Sequence, residues 1–341
     1  MNIVQAIRSA MRQEMQRDER VVVLGEDVAR LGGVFRATEG LWEEFGDDRV
    51  IDTPLSENGI VGVAIGMALF GLVPVAEIQF ADFLYVACDQ IINELAKMRW
   101  RSGGEYAAKV VVRVPYGGGV RGGTYHSQSP EALFIHSPGL KVVCPSSPWD
   151  AKGLLAASIR DPDPVLFFEP KRIYRAVQGD VPEGDHTIPL GSAAVVREGG
   201  DITVIAWGAM LHEALRAADV VAAKGTRCDV IDLRTLWPVD LDTIVSSVRK
   251  TGRVVIVHEA PKTCGFGAEL VALINEHAFD CLEAPPSRVC GFDTPFPCTL
   301  EMDYLPLARR IVPAIVRTMF YGTTAEEPTC RAGQDEIFSE T

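Results

Sequence analysis

The stretch Pro54-Leu55-Ser56-Glu57-Asn58-Gly59-Ile60-Val61-Gly62, followed by Val73-Pro74-Val75-Ala76-Glu77-Ile78-Gln79-Phe80, places an apolar, glycine-punctuated helix directly before a continuously apolar strand. Outward from it, short β-branched runs at 21–24, 73–80, 109–114, 140–144 and 165–168 alternate with helical patterns beginning at Glu57 and over 82–100 and 148–160. Strands that are apolar on both faces and separated by helices predict a parallel sheet covered on both sides. After Asp161-Pro162-Asp163-Pro164 and a polar, proline-bearing stretch at 178–189, the pattern restarts. Strands are expected at 202–206, 228–233 and 253–258, and helices at 210–223, 241–249 and 268–277. The fold class is therefore α/β, with one domain over 1–187 and a second over 188–322. A last helix at 306–319 stops at Gly322, and the tail 323–341 is polar, acidic and aperiodic, as a disordered segment would be.

With 341 residues the chain is long enough for two cores. A net charge of −13 with no basic run argues against nucleic acid, whose phosphates require clustered Lys and Arg. The 8 cysteines are scattered, with no Cys-x-x-Cys pair, and read as reduced thiols in the cytoplasm. The sequence starts on a helical pattern in which Asn2 caps and Gln5 closes a capping box, so no targeting segment is expected. The longest apolar candidate, 60–75, is interrupted by Gly62, Gly66, Gly71 and Pro74, and no membrane span is predicted.

Glu57 opens a helix that is otherwise hydrocarbon. A charge there is costly to bury unless it gains a partner; the alternative is a helix-start carboxylate serving its own backbone and dipole. Asp82 and Phe83 fall where a buried strand meets its helix, the carboxyl edge at which open parallel sheets bind ligands. Phe83 reads as core or as a stacking platform, and core is the favoured reading. The run Tyr116-Gly117-Gly118-Gly119-Val120-Arg121-Gly122-Gly123 lacks the Lys-Ser/Thr ending of a phosphate loop and is expected to be a flexible arm. It continues into Thr124-Tyr125-His126-Ser127-Gln128, which puts a histidine at the foot of that arm. His126 is either simply exposed or a titratable group carried over a pocket. His136, His212, His258 and His277 sit singly on periodic segments and read as structural or surface residues. No serine lies in a nucleophile elbow.

Taken in order, several segments resemble the β subunit of the decarboxylating component of 2-oxo acid dehydrogenase complexes, and most of all its branched-chain member. They are Thr53 through Gly62, Ala76-Glu77-Ile78-Gln79-Phe80-Ala81-Asp82-Phe83 and Tyr125-His126-Ser127-Gln128-Ser129-Pro130-Glu131-Ala132. Further along come Phe167-Phe168-Glu169-Pro170-Lys171, Val230-Ile231-Asp232-Leu233-Arg234-Thr235 and Gly291-Phe292-Asp293-Thr294-Pro295-Phe296-Pro297. The resemblance implies a pyrimidine-binding domain of the thiamine-diphosphate type followed by a transketolase C-terminal-like domain. It implies an α2β2 heterotetramer with each cofactor held between an α and a β chain. The Gly-Asp-Gly and paired-Asn motif that anchors diphosphate and magnesium in such enzymes does not occur here, so the α subunit would supply that half and hold the Mg2+.

By position, the resemblance makes Glu57 the carboxylate on the aminopyrimidine ring, with Leu55, Gln79 and Phe83 lining the cofactor. Phe83 stands where branched-chain relatives often carry Tyr, which puts a hydroxyl contact in doubt. His126 is the expected proton-handling group for acyl transfer to lipoamide. A potassium site is implied at Ala108, Val110, Val111, Ser158, Asp161 and Asp163, although the Asp-Pro-Asp-Pro run is equally a plain turn signal. The expected activity is oxidative decarboxylation of a branched-chain 2-oxo acid, with the lipoyl acyltransferase core as second partner. Two alternatives stand: a pyruvate- or acetoin-type enzyme on the same machinery, and a non-catalytic assembly subunit that docks the acyltransferase. A self-contained nucleotide-binding α/β protein is weakened by the missing phosphate loop.

Overall fold

The computed structural model describes residues 1–322; the expected tail 323–341 lies outside the described residues. The strands are β1 (Val21–Gly25), β2 (Val50–Asp52), β3 (Val73–Glu77), β4 (Val111–Tyr116), β5 (Lys141–Val143), β6 (Val165–Pro170), β7 (Ala194–Arg197), β8 (Ile202–Ala206), β9 (Cys228–Asp232), β10 (Thr235–Trp237), β11 (Val254–Pro261) and β12 (Ser287–Gly291). They form two sheets in two compact units. The first unit comprises Met1–Ser192, Arg234–Val239 and Pro295–Glu301, and the second Ala193–Leu233, Asp240–Thr294 and Met302 onward. A single cut near residue 187 thus leaves out two short segments that return to the first unit.

In the first unit the sheet order is β10-β5-β6-β4-β3-β1-β2. The strands from β5 to β2 run parallel, and β10 closes one edge antiparallel to β5. Every residue of β1, β3, β4 and β6 is buried, as a sheet with both faces covered demands. The Ile3–Arg17 helix starts in the expected capping box: Asn2 accepts from the Gln5 N–H while Gln5 accepts from the Asn2 N–H. Its buried face packs on the Pro148–Arg160 helix.

The Glu57–Leu69 helix is capped by Ser56, whose hydroxyl accepts from the Gly59 N–H at 3.4 Å. It buries Glu57, Ile60, Val61, Ala64, Ile65 and Ala68. Val63 and Leu69 on the opposite side are exposed, so this helix is apolar all round rather than amphipathic. The single helix expected over 82–100 is instead segmented: a short turn at Ala81–Phe83, a helical turn at Leu84–Cys88, a stretch with i→i+5 bonding at Asp89–Leu95, and a final turn at Met98–Arg101. Widening the turn in this way shifts the register of every side chain downstream, which a fixed 3.6-residue pattern does not anticipate.

The second sheet has the order β12-β11-β8-β9-β7, parallel except for the antiparallel edge strand β7. Its core holds His258, fully buried on β11. The imidazole stacks on Trp207 with ring centroids 5.2 Å apart, and its Nε2 lies 3.2 Å from the Cys290 thiol. Gly265 and Gly267 pack against the ring so closely that a Cβ at either would lie 2.7 Å from it. Burial, helped by the Arg288 charge, pushes the His258 pKa down to about 4.

The folded protein therefore keeps His258 neutral while the unfolded chain takes up a proton near pH 6.5. Stability from this group is complete above that value and is lost as pH falls towards 4, by about 3 kcal/mol. In urea unfolding followed from pH 7 to pH 4, the stability difference between wild type and His258→Gln should narrow by about that amount. A difference that does not change with pH would contradict this reading.

Candidate active site

Because β1 to β4 and β6 are parallel, their carboxyl ends all open on one edge of the first sheet, and the residues just beyond each strand are brought together there. Glu26 follows β1, Leu55 and Glu57 follow β2, Gln79, Phe80, Asp82 and Phe83 follow β3, and the glycine arm with His126 follows β4. Residues distant in sequence thus share an edge for a topological reason.

Glu57 is 7% exposed, yet among the described residues its carboxylate has no hydrogen bond or ion pair. Glu26 is also buried, and its Oε1 has no partner. Burial raises the Glu26 pKa, and repulsion from Glu57, Asp27 and Glu77 adds to the shift. Gln79 bridges the strand ends by donating its amide to the Glu26 carbonyl at 3.4 Å. Asp82 accepts from the Gln128 N–H through Oδ2 at 3.4 Å, leaving Oδ1 buried and unsatisfied. Leu55 is 79% exposed, its side chain standing free at the rim.

His126 lies among aromatic edges. Its ring centroid is 4.5 Å from Phe80 and 5.6 Å from Phe83, in each case edge to face. Phe80 in turn meets Phe35 at 5.5 Å, and Phe35 meets Tyr174 at 5.3 Å, so the histidine stands at the end of a ladder of rings. The neck of the arm is closed where the Gly117 N–H donates to the Gln128 carbonyl at 3.1 Å.

A buried ion cluster underlies this edge. Arg113, fully enclosed on β4, donates to Glu77 at 2.8 Å and to both oxygens of Glu169 at 2.7 and 3.0 Å. The Tyr174 hydroxyl also donates to Glu169. Burial pushes the Glu169 carboxyl up against the pull of Arg113, but its geometry, accepting three hydrogen bonds, is that of a carboxylate. Burial works against the Arg113 charge, and Glu169 and Glu77 outweigh it.

The residues expected to hold potassium fall into two adjoining stretches. Ala108, Val110 and Val111 lead into β4, while Ser158, Asp161 and Asp163 lead from the Pro148–Arg160 helix into β6, and the Val165 N–H donates to the Val110 carbonyl at 3.0 Å. The Ala108 and Ser158 carbonyls already accept from Val110 and Asp161. Lys141 holds the Asp161 carboxylate at 2.7 Å, and Arg99 holds Asp163 at 2.5 Å. The backbone oxygens each keep a second lone pair for an ion, whereas both carboxylates are committed to cations of the chain itself.

Sequence reasoning passed over Glu26, Phe80 as a wall for His126, and Arg113. Glu26 was detectable as the first residue beyond an apolar strand. Arg113, inside the run Val110-Val111-Val112-Arg113-Val114, was conspicuous as a charge within a buried strand.

Residues 1–177 match the family described as transketolase, pyrimidine binding domain, and residues 191–311 match transketolase, C-terminal domain. A solved structure titled split gene transketolase, inactive beta4 tetramer, superposes with a TM-score of 0.78 over 94% of this chain and 98% of that one, at 24% identity. Fold and matches together define a two-domain chain of the transketolase type. The chain is 55% identical over 323 residues, 94% of its length and 87% of the relative's, to 2-oxoisovalerate dehydrogenase subunit beta, mitochondrial, of Dictyostelium discoideum. It is 50% identical to the 2-oxoisovalerate dehydrogenase subunit beta of Pseudomonas aeruginosa, covering 94% of this chain and 95% of that one. Identity to the pyruvate dehydrogenase E1 component subunit beta of Bacillus subtilis is 52%, covering 90% and 94%. The chain belongs to the family of 2-oxo acid dehydrogenase β subunits.

Replacing Arg113 by Met removes the shared partner of Glu77 and Glu169 and leaves both carboxylates buried. The folded state should lose about 3–5 kcal/mol, read as a lower urea midpoint of the first unit. A loss below about 1 kcal/mol would show that the two acids are satisfied without Arg113.

Proposed function

We propose that this chain is the β half of an α2β2 enzyme that decarboxylates branched-chain 2-oxo acids on thiamine diphosphate and passes the acyl group to the lipoyl domain of an acyltransferase core. One observation carries the reading: Glu57, 7% exposed at the carboxyl edge of a parallel sheet, has no partner for its carboxylate among the described residues, and the same edge holds buried, unsatisfied oxygens on Glu26 and Asp82. Buried polar groups of this kind call for hydrogen-bond donors from outside the chain. An aminopyrimidine ring, with a protonatable ring nitrogen and an exocyclic amine, offers such donors to a carboxylate.

When bound, thiamine diphosphate supplies the acidic thiazolium carbon and the electron sink that decarboxylation requires. The chain's own part is to orient and protonate. Glu57 would hold the proton shared with the ring nitrogen and so favour the imino form of the exocyclic amine. Phe83 would pack on the ring, with Gln79 and Leu55 lining the pocket beside it. His126, edge-on to Phe80 and Phe83, would carry the proton exchanged as the acyl group moves to the lipoyl sulfur. Mg2+ would be held by the α partner, and potassium would sit at the backbone oxygens of Ala108, Val110, Val111 and Ser158, with the Asp161 and Asp163 carboxylates already taken by Lys141 and Arg99. The location would be cytoplasmic, and the acyltransferase would dock on the second unit.

In an assembly with its α partner, Glu57→Gln should lower turnover by about 10²-fold or more while the sedimentation profile of the tetramer is unchanged. Near-normal turnover would remove Glu57 from the reaction.

A pyruvate-type enzyme is the second reading, favoured by the 52% identity to the Bacillus subtilis pyruvate dehydrogenase subunit. With the assembled enzyme, kcat/KM for 3-methyl-2-oxobutanoate should exceed that for pyruvate by about tenfold or more, the scale of extra methyl groups in an apolar pocket. The reverse ratio would transfer the chain to the pyruvate class.

A further inference from the structure

The glycine arm, expected to be flexible, is tied down. Positive φ recurs at Gly117 (+80°), Gly119 (+89°), Arg121 (+58°) and Gly123 (+69°), so the backbone coils with alternate N–H groups turned to one side. Successive N–H groups arranged in this way form a concave site for an anion. Here the anion comes from the chain itself. Glu301, 6% exposed, accepts from the Gly119 N–H through Oε1 at 2.6 Å and from the Arg121 N–H through Oε2 at 3.1 Å.

Other contacts reinforce the bridge. Glu301 ends the segment Pro295–Glu301, which belongs to the first unit although it lies far along the chain. The Thr124 hydroxyl donates to the Phe296 carbonyl at 3.2 Å, and the Phe296 ring occupies the space a Cβ would need at Gly118. A Cβ at Gly119 would collide with the Arg172 side chain, and one at Gly123 would lie 3.0 Å from the Cys298 sulfur. At its inner end the arm meets its own histidine: a Cβ at Gly122 would lie 2.8 Å from the His126 carbonyl. The arm is thus held on its outer side by the 295–301 segment and carries His126 on its inner side.

We propose that Glu301 is a positioning residue, a carboxylate latch that fixes the glycine arm and thereby sets His126 against Phe80 and Phe83. Two N–H groups fastened to one buried carboxylate make a rigid staple, since each is a charge-assisted bond. The same residues without the carboxylate would leave a glycine-rich segment with the largest conformational freedom a chain can have. The consequence for acyl transfer rests on the role assigned to His126 above; the latch itself does not.

The test needs two kinds of measurement. In hydrogen exchange on the wild-type full chain, the Gly119 and Arg121 amides should be protected; exchange at unstructured-peptide rates would overturn the latch without any variant being made. Glu301→Gln keeps the shape but offers one acceptor oxygen, so these amides should exchange about tenfold faster or more, and trypsin should cut after Arg121 correspondingly faster, identified by the mass of fragment 1–121. Unchanged exchange and cleavage would overturn the proposal.

In the enzyme assembled with its α partner, Glu301→Gln should lower lipoyl-dependent acyl transfer about tenfold while decarboxylation read with an artificial electron acceptor stays within about twofold, the pattern of His126→Ala in milder form. If His126→Ala shows that pattern and Glu301→Gln does not, despite a loosened arm, the positioning role is refuted. If the arm loosens and neither variant shows it, the latch stands and the assignment of His126 falls.

Discussion

Two carboxylates, those of Glu26 and Asp82, are held at one edge of a parallel sheet with buried oxygens that lack a hydrogen bond among the described residues, and Glu57 stands at the same edge with its carboxylate unbonded. Proteins rarely leave buried acceptors unpaired, because each forfeits its hydration without replacement. The rest of the site is intelligible from this constraint. The Glu57 helix begins beside the edge and is apolar on both faces, so no cation of the chain approaches from it. Gln79, which might have donated to a carboxylate, donates to the Glu26 carbonyl instead. What remains around Glu26 and Asp82 is an edge with acceptors to spare, suited to a ligand that brings donors.

The sheet tolerates this because its other buried charges are fully accounted for. Arg113 answers Glu77 and Glu169 together, and Tyr174 completes the shell of Glu169. Without that cluster, Glu77 would add a further unpaired negative charge beside Glu26, whose pKa is already raised by burial and by its acidic neighbours. The arginine inside a β-branched strand is therefore a condition for gathering acids at the strand ends. Burying such a cluster brings little net stability by itself; its value is that it fixes the ends of β3 and β4, from which Gln79, Phe83 and the glycine arm depart.

Much of this was legible in the sequence because it depends on period and punctuation. Continuous apolar strands separated by helices predicted a parallel sheet in the first half and a restart of the same pattern in the second, and Glu57 was read as opening a helix. What escaped were features with no local signature. The edge strand β10 is three residues that return from beyond β9 to pair with β5. The 295–301 segment likewise rejoins the first unit from more than a hundred residues away. The segmented helix after Phe80 depends on an i→i+5 stretch that an apolar pattern does not reveal. Glu57 and His126 were recognisable as candidates by residue type and neighbours, but Phe80 and Glu301 act through contacts that only the folded chain creates.

The glycine arm shows how composition misleads when read without its partners. Five glycines in seven residues predict mobility, and for an isolated peptide that inference is sound. In the fold the same glycines serve a second purpose. They permit the alternating positive φ values that turn backbone N–H groups towards Glu301, and their missing side chains leave room for Phe296, Arg172 and Cys298 to pack directly on the backbone. Larger residues would be stiffer as free chains yet unable to enter this arrangement. The conformational entropy lost on ordering the arm must therefore be offset by contacts made from outside it, among them two charge-assisted hydrogen bonds to one carboxylate. The Thr124 contact to Phe296 and the packing of Phe296, Arg172 and Cys298 add to the latch, but the two bonds to Glu301 are the ones that engage the arm's own backbone N–H groups at its turn.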